Sequence, residues 1–273
     1  MVKTAAATAL AALALSGAAA GAANLSAPVP ARGFDSPPER LLVQYSGSVL
    51  FIRAADIGIS AEYPNDGTTY AATATFQSAG LLRWFDDTDI QAGVSGYVNA
   101  DGLQPWRYSH LNHASGTGRT VGIDFPDGVA MPDISPPFGS MGEPPATDEE
   151  RDGALDPITT ILGLMLGMPD PANGVCDGRL PVFDGKARYD LRLEKGGMED
   201  VRTRGWRGEA LLCRAFLEPI SGYDEGKRPT ESDTRRPVSI WLAEIDGVHV
   251  PVRFQAPTRI GNITISAVNV EVE

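Results

Sequence analysis

The sequence predicts a mainly β protein: one large antiparallel sheet, curled or forming an open barrel, around a single buried apolar helix. Three observations predict it. Short runs of β-branched and aromatic residues recur along the chain, broken by Gly, Asp and Asn. Strands and helices do not alternate, so nothing suggests a parallel sheet. One stretch alone, 156–168, carries helix start and stop signals, and it is apolar nearly all round.

Residues 1–23 (MVKTAAATALAALALSGAAAGAA) join one charge, Lys3, to an Ala/Leu run and a small-residue stretch ending at Ala23. Those are the three parts of a secretory signal peptide, with cleavage expected near Ala23. A membrane anchor is the other reading, but its apolar run of about a dozen residues falls short of the roughly 20 that span a bilayer. No twin-Arg pair precedes the run and no Cys lies near its end. The expectation is a periplasmic protein with no transmembrane segment. Residues 24–40 are Pro-rich and polar, as in a mobile tail.

From residue 41 the sequence reads as one β domain to 273, with a division near 150 as the other description. Runs 41–53, 58–64, 69–77, 90–98, 103–111 and 119–125 read as strands. The connectors Asn65-Asp66-Gly67 and Asn99-Ala100-Asp101-Gly102 supply residues that accept the positive φ of tight turns. Segment 126–153 is dense in Pro and Gly and reads as a surface excursion or lid. In 156–168, Asp156 can cap free N–H groups, Pro157 suits the first turn, and Gly167 with Pro169 stops the helix. Strands resume at 180–184, 187–193, 208–217, 238–245, 248–255 and 261–272, with a charged loop over 222–237.

A net charge of −12 argues against general affinity for nucleic acid and against adsorption to anionic headgroups. Cys176 and Cys213 are the two cysteines, and an even pair in an exported chain favours a disulfide over two buried thiols. Enzymatic signatures are missing: there is no phosphate loop, and Gly93-Val94-Ser95-Gly96 only approaches a nucleophile elbow. His110 and His113, three apart, fall on opposite faces of a strand and share a metal poorly. Asp86-Asp87-Thr88-Asp89 offers oxygens for calcium but lacks loop spacing, so a solvated turn is favoured. The reading is no metal, no cofactor and no catalytic residue.

The aromatic residues either fill the core or line an apolar cavity inside the curled sheet. If they line a cavity, Trp84, Trp106 and Trp241 on the strands would do so with Ile161, Leu164, Met165 and Met168 on the helix.

Seven motifs follow in order: Tyr45-Ser46-Gly47-Ser48, Gly102-Leu103-Gln104-Pro105-Trp106-Arg107-Tyr108, Asp156-Pro157-Ile158-Thr159, the run 182–191 (VFDGKARYDL), Pro219-Ile220-Ser221-Gly222-Tyr223, Ile240-Trp241-Leu242-Ala243 and Pro251-Val252-Arg253. Together, over about 41–273, they resemble the exported bacterial proteins grouped as the domain of unknown function DUF3108. The cysteine pair resembles that of alphaproteobacterial-type members. The resemblance implies location and fold; it carries no activity. At the level of fold alone, the architecture is also similar to the open barrels with an internal helix used by periplasmic lipoprotein carriers.

Three functions follow as expectations. The first is a non-enzymatic periplasmic protein that binds an apolar ligand, such as a lipid, or a lipidated segment within its curled sheet. The second is a cell-envelope scaffold or assembly factor whose partner is an envelope protein, acting through 126–153 or 222–237. The third is an envelope-polymer hydrolase, which needs clustered carboxylates. A hollow interior favours the first and a filled one the second.

Overall fold

The computed structural model describes residues 37–64, 67–80, 88–99, 102–167, 174–258 and 261–273. Thirteen strands form one antiparallel sheet: β1 (Arg40–Val49), β2 (Ile52–Glu62), β3 (Thr69–Ser78), β4 (Asp89–Asn99), β5 (Gly102–Asn112), β6 (Thr120–Asp124), β7 (Met131–Ser135), β8 (Gly178–Phe183), β9 (Arg188–Arg202), β10 (Arg207–Ser221), β11 (Val238–Ile245), β12 (Val248–Thr258) and β13 (Gly261–Val272). Their order is β7-β6-β5-β4-β3-β2-β1-β13-β12-β11-β10-β9-β8. Two meanders therefore join where the first strand pairs with the last.

Among the described residues there are three α-helices, α1 (Asp148–Arg151), α2 (Pro157–Met165) and α3 (Glu231–Thr234). α2 touches β3, β4 and β5 on one arm and β8 and β12 on the other. In a flat sheet β4 and β12 would stand about 24 Å apart at the usual strand spacing, whereas a helix is about 10–12 Å across. The sheet must curl, with α2 in its concavity. Leu41, Val43, Ile59, Tyr70, Val94, Ile123, Val250 and Val252 face that space and pack in one cluster with Ile158, Leu162 and Met165.

The curl stops short of a closed barrel, because β7 and β8 are both edges. Each carries a proline, Pro132 and Pro181, which suits a strand with one unpaired side. Residues 151–155 stitch the gap. Ala130 N–H donates to the Arg151 carbonyl at 3.2 Å, and Gly153 N–H to that of Gly128 at 3.2 Å. Leu155 N–H then donates to Pro181, and Phe183 N–H to Leu155, both at 2.9 Å.

Several sequence readings change here. Run 41–53 is not one strand: it turns at Leu50-Phe51, which bears no turn signature. Segment 126–153 is no structureless excursion, since it contains β7 and α1 and forms the strap. It also meets the charged loop, with Glu143 N–H donating to the Tyr223 carbonyl and Gly222 N–H to that of Pro144, both at 2.9 Å. β9 runs on to Arg202 because β10 pairs with it along its whole length. The helix ends at Met165, where Gly167 turns out of it at φ 74°.

Candidate functional site

The interior site is built on α2. Asp156 stands just before the helix in extended conformation and caps it. One carboxylate oxygen accepts the N–H groups of Ile158 at 2.9 Å and Thr159 at 3.0 Å. The other accepts the Thr159 hydroxyl at 2.5 Å. The Thr159 hydroxyl in turn lies 2.7 Å from that of Tyr70 on β3. Tyr63 stacks against Tyr70, ring centres 6.4 Å apart. This chain of groups anchors the start of the helix to the sheet.

Asp156 is fully buried. Burial raises its pKa to about 6, against the pull of the three hydrogen bonds that favour the anion. Tyr70 is pushed up by burial and by the Asp156 charge, and Tyr108 on β5 by the same two causes. Two further phenols, Tyr45 on β1 and Tyr63 beyond β2, are buried with no hydrogen-bond partner for their hydroxyls among the described residues. Both belong to the cluster that surrounds α2. Such a group costs about 1–3 kcal/mol when left unmatched, so native interiors hold few.

Of the residues predicted to line a cavity, three lie on α2. Met165 is fully buried in the main cluster and Ile161 packs at its margin. Leu164 points into a second cluster with Cys176, Leu193, Cys213, Ile240 and Leu242. The Cys176–Cys213 disulfide is formed, Cα atoms 5.6 Å apart. Trp84 and Met168 lie outside the described residues.

Trp106 is not in the interior. It sits on the outer face, 40% exposed, with its ring 4.6 Å from that of Tyr97. There it borders an outer groove of about 400 Å³ whose lining includes Ser60, Thr73, Ser95, Glu62 and Arg107. A register shift between Ser95 and Gly96 interrupts the alternation by which its side would have been read. The groove offers one carboxylate, Glu62, where glycoside cleavage uses two. Trp241 is partly buried against the cluster that surrounds α2, its indole N–H donating to Glu199 at 2.8 Å and the Arg253 guanidinium lying over its ring.

Sequence reasoning assigned Asp156 only a capping role and passed over Tyr45, Tyr63, Tyr70 and Thr159. The legible signal was Thr three residues after a capping Asp. Tyr63 and Tyr70 flank the β2–β3 hairpin, whereas Tyr45 reaches the same cluster only through pairing of the first strand with the last.

His110, lowered by burial, lies 3.1 Å from the Tyr108 hydroxyl. His113 stands in the loop beyond β5, within 3.5 Å of Gln91. Among the described residues, no three His, Cys, Asp or Glu side chains gather as metal ligands. No helix among them is long and apolar enough to cross a membrane.

No curated protein matches the chain. Among solved structures, it is similar to a β-barrel-like protein of the domain of unknown function DUF1849 from Brucella abortus. The two are 10% identical with a TM-score of 0.51, covering 87% of this chain and 98% of that one. A putative lipoprotein from Parabacteroides distasonis aligns at 7% identity and a TM-score of 0.35, over 88% and 98%. The first likeness shows the fold alone. The family described as protein of unknown function DUF3108 matches residues 42–268, so the chain belongs to that family.

Proposed function

We propose that the protein is an exported, non-enzymatic component of the cell envelope that takes up an apolar ligand or lipidated segment in the space α2 occupies. The observation that carries this reading is the content of the curl. A nine-residue helix with few polar side chains fills it, beside two buried phenols without partners. An amphiphile would satisfy both features, its chain replacing α2 and its polar end meeting Tyr45 or Tyr63. The disulfide suits the oxidising compartment that the N-terminal segment addresses.

Magnitudes set the ligand's size. Ile158, Leu162, Leu164 and Met165 are all buried, and together they are worth about 8 kcal/mol of apolar burial. At about 0.8 kcal/mol per methylene, a ligand needs roughly ten methylenes to replace them. A long acyl chain meets that requirement; a short metabolite does not.

Continuous packing around α2 favours a second reading, a scaffold that uses its surface. The strap and the charged loop meet through Glu143, Pro144, Gly222 and Tyr223, and so form one composite face. Native mass spectrometry of protein purified gently from its own host separates the two. A reproducible added mass that organic solvent removes supports the carrier. A clean unliganded mass, with no uptake of offered lipid, overturns it and favours the scaffold.

A further inference from the structure

The turn between β1 and β2 is built from residues that make turns badly. Pairing runs up to Val49 opposite Ile52, leaving Leu50-Phe51 as a two-residue connection. Such turns need positive φ at their first residue, which Gly, Asn or Asp accept readily and a bulky side chain does not. Leu50 nevertheless stands at φ 58°. The same molecule solves the same problem conventionally between β11 and β12, where Asp246 and Gly247 stand at φ 48° and 81°. Turn formation therefore does not explain Leu50-Phe51.

Exposure points elsewhere. Phe51 is 91% exposed, Leu50 53% and Ile52 50%. The neighbouring hairpin, β12–β13, adds Ile263. Leu50 N–H donates to the Asn262 carbonyl at 3.1 Å, holding the β1–β2 turn against the start of β13. Gly261 leaves the room this needs, since a Cβ there would come within 2.4 Å of the Leu50 side chain. Four apolar side chains thus project together.

Among the described residues the patch has little local charge, in a chain of net charge −12. Arg53 and Asp56 at its base pair with each other at 2.5 Å. Ser48, Asn262 and Thr264 beside it are uncharged. Its size argues against a protein partner: four such side chains offer about 400 Å², half of the roughly 800 Å² a stable interface takes from each side. A small, convex, uncharged apolar tip suits a medium that closes around it.

We propose that the Leu50-Phe51 tip inserts reversibly into the headgroup–acyl boundary of a lipid bilayer. This goes beyond the ligand proposal and does not depend on it, since a scaffold could dock on a membrane in the same way.

The test is flotation with net-neutral phosphatidylcholine vesicles, using protein recovered from the exported fraction. It compares the wild type with Leu50→Gly/Phe51→Asn, which places Gly at the positive φ and so favours the same hairpin. A thermal midpoint at or above that of the wild type checks that the variant folds. The expected result is wild-type flotation that high salt leaves unchanged, with vesicle partitioning at least tenfold weaker in the variant. Failure of the wild type to float, or equal flotation of both proteins, overturns the proposal. So does a wild-type dimer that the variant loses in sedimentation without vesicles, which would make a second copy the occupant.

Discussion

The hydroxyls of Tyr70 and Thr159 lie 2.7 Å apart, joining β3 to α2 across the interior of the sheet. Through Thr159 this bond continues to the buried Asp156 carboxylate, so the helix that fills the curl is tethered by its first turn. Removing Tyr70's share of the tether leaves Thr159 still bonded to Asp156. Tyr70→Phe should therefore cost only about 1 kcal/mol in a urea titration. Amide exchange in 157–165 should rise more than in β1 or β13. Equal exchange in all three would show that the tether does not hold the helix.

Asp156 should make stability depend on pH in an unusual direction. Its pKa stands at about 6 in the folded chain against 3.8 for the free side chain. Between those values the folded state binds more protons than the unfolded one, so stability falls as pH rises through that window, by about 3 kcal/mol. Tyr70 and Tyr108 remain neutral throughout. Glu150, Glu218 and Asp224 have lowered pKa values and contribute with the opposite sign, but equally in both proteins. Asp156→Asn should remove the fall from its own profile, so that variant and wild type diverge steadily from pH 4 to 6. Parallel profiles would contradict the burial argument.

The disulfide closes a sequence separation of 37 residues around the second core cluster. Cys213→Ser combined with Cys176→Ser should cost about 4 kcal/mol in the chain-entropy account. Urea midpoints of oxidised, reduced and double-variant protein check this, and the last two should agree closely.

Gly222 fixes the junction of strap and charged loop. At φ 82°, an added Cβ would stand 1.9 Å from the Lys186 carbonyl oxygen. Gly226, at φ 69°, has nothing within 4 Å of such a Cβ. Gly226→Ala should cost about 1 kcal/mol, from backbone strain alone. Gly222→Ala adds the clash and should cost on the order of 3 kcal/mol or more. Thermal melts of the two variants give the comparison.

What the sequence makes legible follows from which forces act locally. The helix could be read because Asp156 and Pro157 mark its start by their own chemistry. The antiparallel meanders could be read because neighbouring runs with turn residues between them have few other ways to pair. Leu50-Phe51 hid a turn inside an apolar run, since the turn there is imposed by β1–β2 pairing against residue preference. β7 was hidden by Pro132, which an edge strand tolerates and a central one does not. The candidate site was half legible: α2 is the buried apolar helix expected inside the sheet, whereas the register shift at Ser95 and Gly96 put Trp106 outside. Tyr45 joins the cluster only through the pairing of β1 with β13, to which no single stretch of sequence testifies.

Hydrogen exchange of 157–165, with and without saturating oleate, tests most directly whether α2 holds a ligand's place. Displacement predicts exchange in α2 at least tenfold faster with oleate bound, while β1, β2, β12 and β13 keep their protection. Exchange in α2 that stays unchanged at saturation would contradict the account and leave the helix a permanent part of the core.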